Sequence, residues 1–305
     1  MTLAVIRLDS TSGQKMRHLN FYLILAFVVF VNGAATKIGR ADTVWGVTDQ
    51  QFLVSWSTDS PSNFTFGTAI NGLQVNERIL GIDARPADGS FYAVGSSNRL
   101  YSLGMNGVAT QIGSSFATSL NGSSFGFDFN PVIDRSRVDT NTNRNYVVNP
   151  NDGTNTQVND LFYLNGDSNF GRDPNVVHIG YTNSVAGATS TQLYGIDSGL
   201  DILVTQANSS GSLNTIGSLG TNITEIGGFD IAGDSGIAYG AFLGAGSSAS
   251  QFYRVDLLSG NATLIGEIGG GTIITAISLQ SVPEPGSATF VGLSSLFLIL
   301  RRKRA

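Results

Sequence analysis

Cysteine is absent from the 305 residues, which excludes disulfide staples and thiolate metal centres. Histidine is nearly absent. His18 and His178 are the two in the chain, so a histidine-rich metal site is excluded and His178 is the one imidazole left to the body. No lysine stands between residues 38 and 302, and a phosphate-cradling loop that ends in lysine is excluded with it. Charge of either sign is scarce, 13% of residues, and unevenly placed. From Asp42 to Glu284 there are 21 acidic residues against 8 arginines, a net charge of −13. A body of that sign repels phosphate backbones, which argues against nucleic acid as a partner.

What the chain does have is glycine, 38 residues, with an apolar fraction of 41%. That is enough for a packed core, and the glycine fits a turn-dense all-β protein. Gly81 to Gly113, GIDARPADGSFYAVGSSNRLYSLGMNGVATQIG, shows the pattern. GIDARP, FYAVG, RLYSL and ATQIG read as four short strands separated by turn residues such as Asn106-Gly107. The pattern recurs from Ser124 (SFGFDFNP), from Val177 (VHIGYTN) and from Gly227 (GGFDIAG). Thr43 to Ile70 matches the last three strands but lacks the first, and Ile273 to Leu279, IITAISL, is a strand without a unit. Opening strands near residues 82, 127, 179, 229 and 274 are 45, 52, 50 and 45 residues apart. That is the size of a four-stranded propeller blade. The expectation is a five-bladed β-propeller whose C-terminal strand completes the N-terminal blade, because a ring with a gap leaves unpaired strand edges. A β-sandwich or β-solenoid is the alternative. Gly should let the inner strands approach, and Ile82, Phe127, Ile196 and Phe229 should pack between blades.

The two ends read as addresses. Met16-Arg17-His18, the apolar run 21–31 and the small residues up to Ala35 or Ala41 make a secretory signal peptide, with Met16 the better start. The expected division is 1–41 signal region, 42–280 propeller and 281–305 tail. In the tail, Pro283-Glu284-Pro285 precedes an apolar run, Ser287 to Leu300, and then Arg301, Arg302, Lys303 and Arg304. The run is short for a span, with the basic cluster on the cytoplasmic side. This tail resembles the PEP-CTERM sorting signal of Gram-negative bacteria. The resemblance implies a membrane-embedded exosortase-type protease as partner, transient membrane contact through the tail, and release to the cell surface or exterior.

GIDARPADGSFYAVGSSNRLYSL, FGFDFNPVIDRSRV, GYTNSVAGATSTQLYGID and GGFDIAG resemble the DUF4394 family, propeller-like and without an assigned reaction. The likeness covers roughly Val44 to Leu279; it implies a fold and carries over no catalytic residue.

The residues offer little chemistry of their own. A serine triad would have to form around His178, with only Ser184 and Asp173 nearby in sequence. Asp83, Asp128 and Asp230 hold equivalent places in three blades. They could meet at one end of the channel, as a carboxylate pair for glycoside cleavage, as an oxygen ring for Ca²⁺, or only as repeated turn caps. Otherwise no cofactor is implied. The insertion 159–175 breaks the repeat, and its Asp167, Arg172 and Asp173 join Asp128, Asn130, Asp134, Arg135 and Arg137 as the densest polar set, a candidate ligand-binding patch. Three functions follow. The chain is an exported binding module for exopolysaccharide or a surface protein, a carboxylate-based glycosidase or lyase, or a ligand-free matrix protein. The first fits the missing catalytic groups best, so an enzyme is the lesser expectation.

Overall fold

The computed structural model describes residues 42–280. The expected signal region and the sorting tail, with its apolar run and basic cluster, lie outside the described residues. Within them all regular structure is strand, and no helix is long and apolar enough to cross a membrane.

Twenty-one strands form five sheets in a ring. Blade 1 holds β1 (Thr43–Thr48), β2 (Phe52–Ser57) and β3 (Ser60–Ala69), with β21 (Ile274–Gln280) innermost. Blade 2 runs outward through β4 (Ile79–Ala84), β5 (Phe91–Gly95), β6 (Arg99–Leu103) and β7 (Ala109–Ile112). Blade 3 runs through β8 (Phe125–Asn130), β9 (Arg135–Thr140), β10 (Asn145–Val148) and β11 (Asn155–Gln157). Blade 4 has β13 (Val176–Tyr181), β14 (Leu193–Asp197), β15 (Ile202–Gln206) and β16 (Ser212–Ser218), and blade 5 has β17 (Ile223–Ile231), β18 (Ala238–Gly244), β19 (Ser250–Val255) and β20 (Ala262–Glu267). The inner strands pack in the order β21, β4, β8, β13, β17 and back to β21.

Closure falls where the unit count placed it. β21 runs antiparallel to β1, from Thr43 opposite Gln280 to Val47 opposite Ala276. The Trp45 indole N–H donates to Gln280 Oε1 at 3.2 Å and the Thr275 hydroxyl to the Val47 carbonyl at 3.2 Å. Both ends of the propeller are thereby tied into one sheet.

Two details differ from the expectation. The segment 159–175 supplies a short strand, β12 (Phe162–Tyr163), parallel to β16, so the fourth sheet has five strands. It covers the outer edge of blade 4, pinned by the Tyr163 hydroxyl on Asp197 at 2.6 Å and by Asp167 on the Thr215 amide at 2.6 Å. An edge that would otherwise be unpaired is thus protected. Ile196 is on β14, the second strand; the inner-strand residue equivalent to Ile82 is Ile179.

Four seams between blades are apolar, packed around Trp56 and Phe252, Trp45 and Phe91, Phe127 and Phe129, and Phe229 and Phe242. The seam between blades 3 and 4 is polar. There the buried Arg137 donates from Nε to the Tyr181 hydroxyl at 2.8 Å and also bonds Asn145, whose amide donates to the Asn208 carbonyl at 3.0 Å. Asp139 and Gln206 face each other, fully buried, without reaching hydrogen-bond geometry. Burial pushes the Asp139 carboxyl up to about 7, with the Arg137 charge holding it down.

Candidate functional site

The inner strands align residue for residue. One position reads Asp83, Asp128, Gly180, Asp230 and Ser278 around the ring. The next residue along each strand is Ala84, Phe129, Tyr181, Ile231 and Leu279. Each side chain at the first position reaches the amide of the following blade at the second. Asp83 accepts from Phe129 N–H at 2.8 Å, Asp128 from Tyr181 N–H at 3.1 Å, Asp230 from Leu279 N–H at 2.6 Å and Ser278 from Ala84 N–H at 3.1 Å. Gly180 has no side chain, and the amide it would have met, on Ile231, bonds Asp230 instead. A ladder with one missing rung therefore closes one end of the axial channel.

Symmetry does bring the three aspartates together. Their oxygens lie within 4.8 Å of one another and all three side chains are buried. Burial, and then repulsion among them, raises Asp83 and Asp128 well above the carboxylate range, and burial raises Asp230 to about 6. All three are buried, and none of them lines the axial cavity. The axial cavity between the inner strands is about 10 Å³, room for one water.

The other end of the channel breaks the symmetry. Two residues before the ladder position the strands read Gly81, Gly126, His178, Gly228 and Ala276. Glycine there allows backbones to touch: a Cβ on Gly81 would stand 2.5 Å from Phe127 Cβ, and one on Gly228 2.4 Å from the Ile277 nitrogen. His178 wedges an imidazole into that space, between β13 and β17, 5.3 Å from the Phe242 ring and with Nε2 3.5 Å from the Thr224 carbonyl. Beside it β17 carries a bulge between Ile223 and Gly227, wider than the register shifts at the same end of β4, β13 and β21. Bulges re-aim side chains, and this one carries Glu225 and Ile226 over the channel mouth.

Glu225 accepts from the Ser124 hydroxyl at 2.6 Å, the Asn141 amide at 3.1 Å and the Asn175 amide at 2.8 Å, joining blades 3, 4 and 5. Burial raises its pKa, but the bonds from Ser124, Asn175 and Asn141 outweigh it and hold the carboxyl below the usual range. Beside it is a pit of about 140 Å³ lined by Gln51, Arg78, Ile79, Leu80, Ser123, Ser124, Phe125, Glu225, Ile226 and Thr275. Glu225 is the one acid among those lining residues.

His178 has no triad. Burial lowers its pKa to about 4, the Asp173 carboxylate accepts from Asn143, and Ser184 is in the turn beyond the C-terminal end of β13. The residues of the expected polar patch fall at several places, two of them linked: Asn130 and Arg137 are joined through Asn208 and Tyr181. Asp128 is in the ladder and Arg137 in the polar seam. Asn130 caps its own turn through Val132 and Ile133, Asp134 pairs with Arg85, and Arg135 donates to the Asp134 carbonyl. Asp167 pins the insertion, Arg172 is exposed, and Asp173 meets Asn143 at the far end of β9. Glu225, Arg78 and Gln51 were not singled out from the sequence. The signal for them is His178 at a glycine position in the strand alignment, followed by extra residues before Gly227-Gly228.

Fold and site together define a closed five-bladed β-propeller with one sealed axial end and one polar, asymmetric end. The chain belongs to the DUF4394 family, described as a domain of unknown function, which matches residues 52–278. Among solved structures it is similar to a chain from a nidogen/laminin complex, at 11% identity and a TM-score of 0.48, covering 79% of this chain and 98% of that one. It is also similar to a structural genomics protein of unknown function from Bacteroides thetaiotaomicron, at 13% identity and a TM-score of 0.44, covering 74% of this chain and 58% of that one. No curated protein matches the chain.

Proposed function

We propose that the protein is an exported binding module that holds a polysaccharide or protein partner at the cell exterior. The observation that carries this reading is the distribution of carboxylates along the axis. Glycoside cleavage needs two carboxyl groups flanking the bond, one of them able to give a proton. The three clustered aspartates are buried beneath the strands they fasten. Glu225, the acid at the open end, has its pKa lowered and no carboxyl partner in the pit. An ionised acceptor in a small polar pit suits recognition, and a general acid is missing. The leader and the Pro283–Pro285 tail motif supply the address. An exosortase-type protease would act on the tail, and the ring would be displayed outside.

Two measurements test it. The purified exported protein is applied to arrays of glycans and to the producing cell's own surface polysaccharide, alongside a hydrolysis assay. Saturable binding without turnover is expected, and product release at enzymatic rates would overturn the reading. Removing Arg301 to Arg304 is expected to change surface retention; unchanged sorting would separate the protein from the PEP-CTERM route.

A further inference from the structure

We infer that the pit formed by Gln51, Arg78, Ser123, Ser124, Phe125, Glu225 and Ile226 binds the terminal sugar residue of a neutral glycan. This rests on the binding-module reading and narrows it to one ligand class and one site. The pit has a floor. Below it the axial cavity holds about 10 Å³, so a ligand enters from the face and stops. At about 140 Å³ the pit is on the scale of one pyranose ring. A site of that shape takes a chain end and leaves the rest of the chain over the rim.

The lining selects the chemistry. Arg78, which already bonds the Asp49 carbonyl, can only donate hydrogen bonds and ionised Glu225 can only accept them; the Ser124 and Thr275 protons are committed to Glu225 and the Val47 carbonyl, so those hydroxyls accept, while the Ser123 hydroxyl and the Gln51 amide N–H remain free to donate. A carboxylate ligand would satisfy Arg78 and repel Glu225; an ammonium would do the reverse. Adjacent hydroxyls donate to one and accept from the other. Glu225 Oε2 already takes two donors and Oε1 one. A carboxylate offers roughly four lone-pair sites, which leaves Oε1 one place for a ligand hydroxyl. Phe125 and the 40%-exposed Ile226 give the C–H face of a sugar ring an apolar surface. The net charge of the body disfavours acidic glycans.

The test is calorimetry and array binding of the purified exported protein with methyl hexosides, neutral oligosaccharides, uronate-ended oligosaccharides and free glycine as probes. A neutral probe is expected to bind, and the matching methyl hexoside is expected to compete with the oligosaccharide. E225Q and R78A are each expected to weaken binding at least about tenfold, as loss of a charged hydrogen bond should. R78A is at an exposed position and keeps the fold available for measurement if E225Q does not. Binding of glycan that neither variant weakens would overturn the pit and leave the module reading standing. Preference for uronate ends or for glycine would overturn the neutral sugar. No binding to any surface glycan or protein would overturn both.

Discussion

The two ends of the axial channel are built from the same five strands, yet they do different work. At one end a single rule repeats around the ring: a short polar side chain accepts the next blade's amide. At the other, His178 stands where three blades have glycine, β17 bulges, and Glu225 is carried into the open. The sealed end is held by repetition. The open end is where four of the five inner strands slip register, β17 the furthest. A change at the sealed end should therefore register as stability, and a change at the open end as binding.

The largest expected effect is at the ladder. Asp83 accepts from the amides of Phe129 and Ala84 and from the Ser278 hydroxyl. D83A leaves buried donors unpaired at about 1–3 kcal/mol each. A loss of roughly 3 kcal/mol or more is expected in urea titration, against about 1–2 kcal/mol for E225A, whose three donors are only part-buried. Equal losses would mean that the two ends are not different in kind.

Next in size is the wedge. H178G removes a buried ring that touches Phe242 and should cost about 2–4 kcal/mol, as large-to-small core changes do. It should also weaken any ligand of the pit without altering a lining residue, because the bulge that places Glu225 loses the ring beside it. Unchanged binding in H178G would detach Glu225 from the wedge.

Acid and base should also separate the two ends. Asp83, Asp128, Asp139 and Asp230 have folded pKa values above their unfolded ones. Such groups favour the fold at low pH, and that contribution is lost as pH rises from about 4 through 6 and 7. His178 and Glu225 act the other way. His178, held neutral with a pKa near 4, loses stability for the fold as pH falls below its unfolded value near 6.5. Glu225 does so only where its lowered carboxyl protonates, in the acid range. With four groups against one between pH 4 and 7, the melting temperature should be higher at pH 5 than at pH 8. D128N and D139N should flatten the difference. A rise of the midpoint on adding Ca²⁺, reversed by chelation, would make the aspartate trio a cation site rather than a set of latches.

The ring was legible because its signals are periodic. Opening strands every 45 to 52 residues, a first unit short of a strand and a last strand without a unit leave one closed arrangement. The aspartate meeting was legible for the same reason, as three equal offsets in three blades. The site at the open end was not, because it depends on departures from the period. Glu225 precedes the Gly227 unit in the sequence and carries no repeat signal, and Arg78 and Gln51 come together with it only through the ring. Where each member of the patch around Arg137 points was not legible, because density of polar residues along the chain says nothing about which strand face each one takes. Arg137 faces the seam, and Asn130 caps its own turn while reaching that seam through Asn208.

The smallest expected effect concerns the missing rung. If the ladder rule held everywhere, G180S would restore an acceptor for the Ile231 amide and stabilise the ring by about 1 kcal/mol, a typical net hydrogen bond. Two features oppose this. The Ile231 amide already bonds Asp230, so the serine would replace a bond rather than add one. A Cβ on Gly180 would also stand 3.2 Å from both Ile231 and Phe229 side-chain atoms, so these neighbours must give way. The expected change is a loss of about 1 kcal/mol, the low end of what crowding a packed interior costs. A gain of 2 kcal/mol or more would show that the gap in the ladder is a standing weakness between blades 4 and 5. The bulge of β17 would then have to be explained by the absent rung as much as by the His178 wedge.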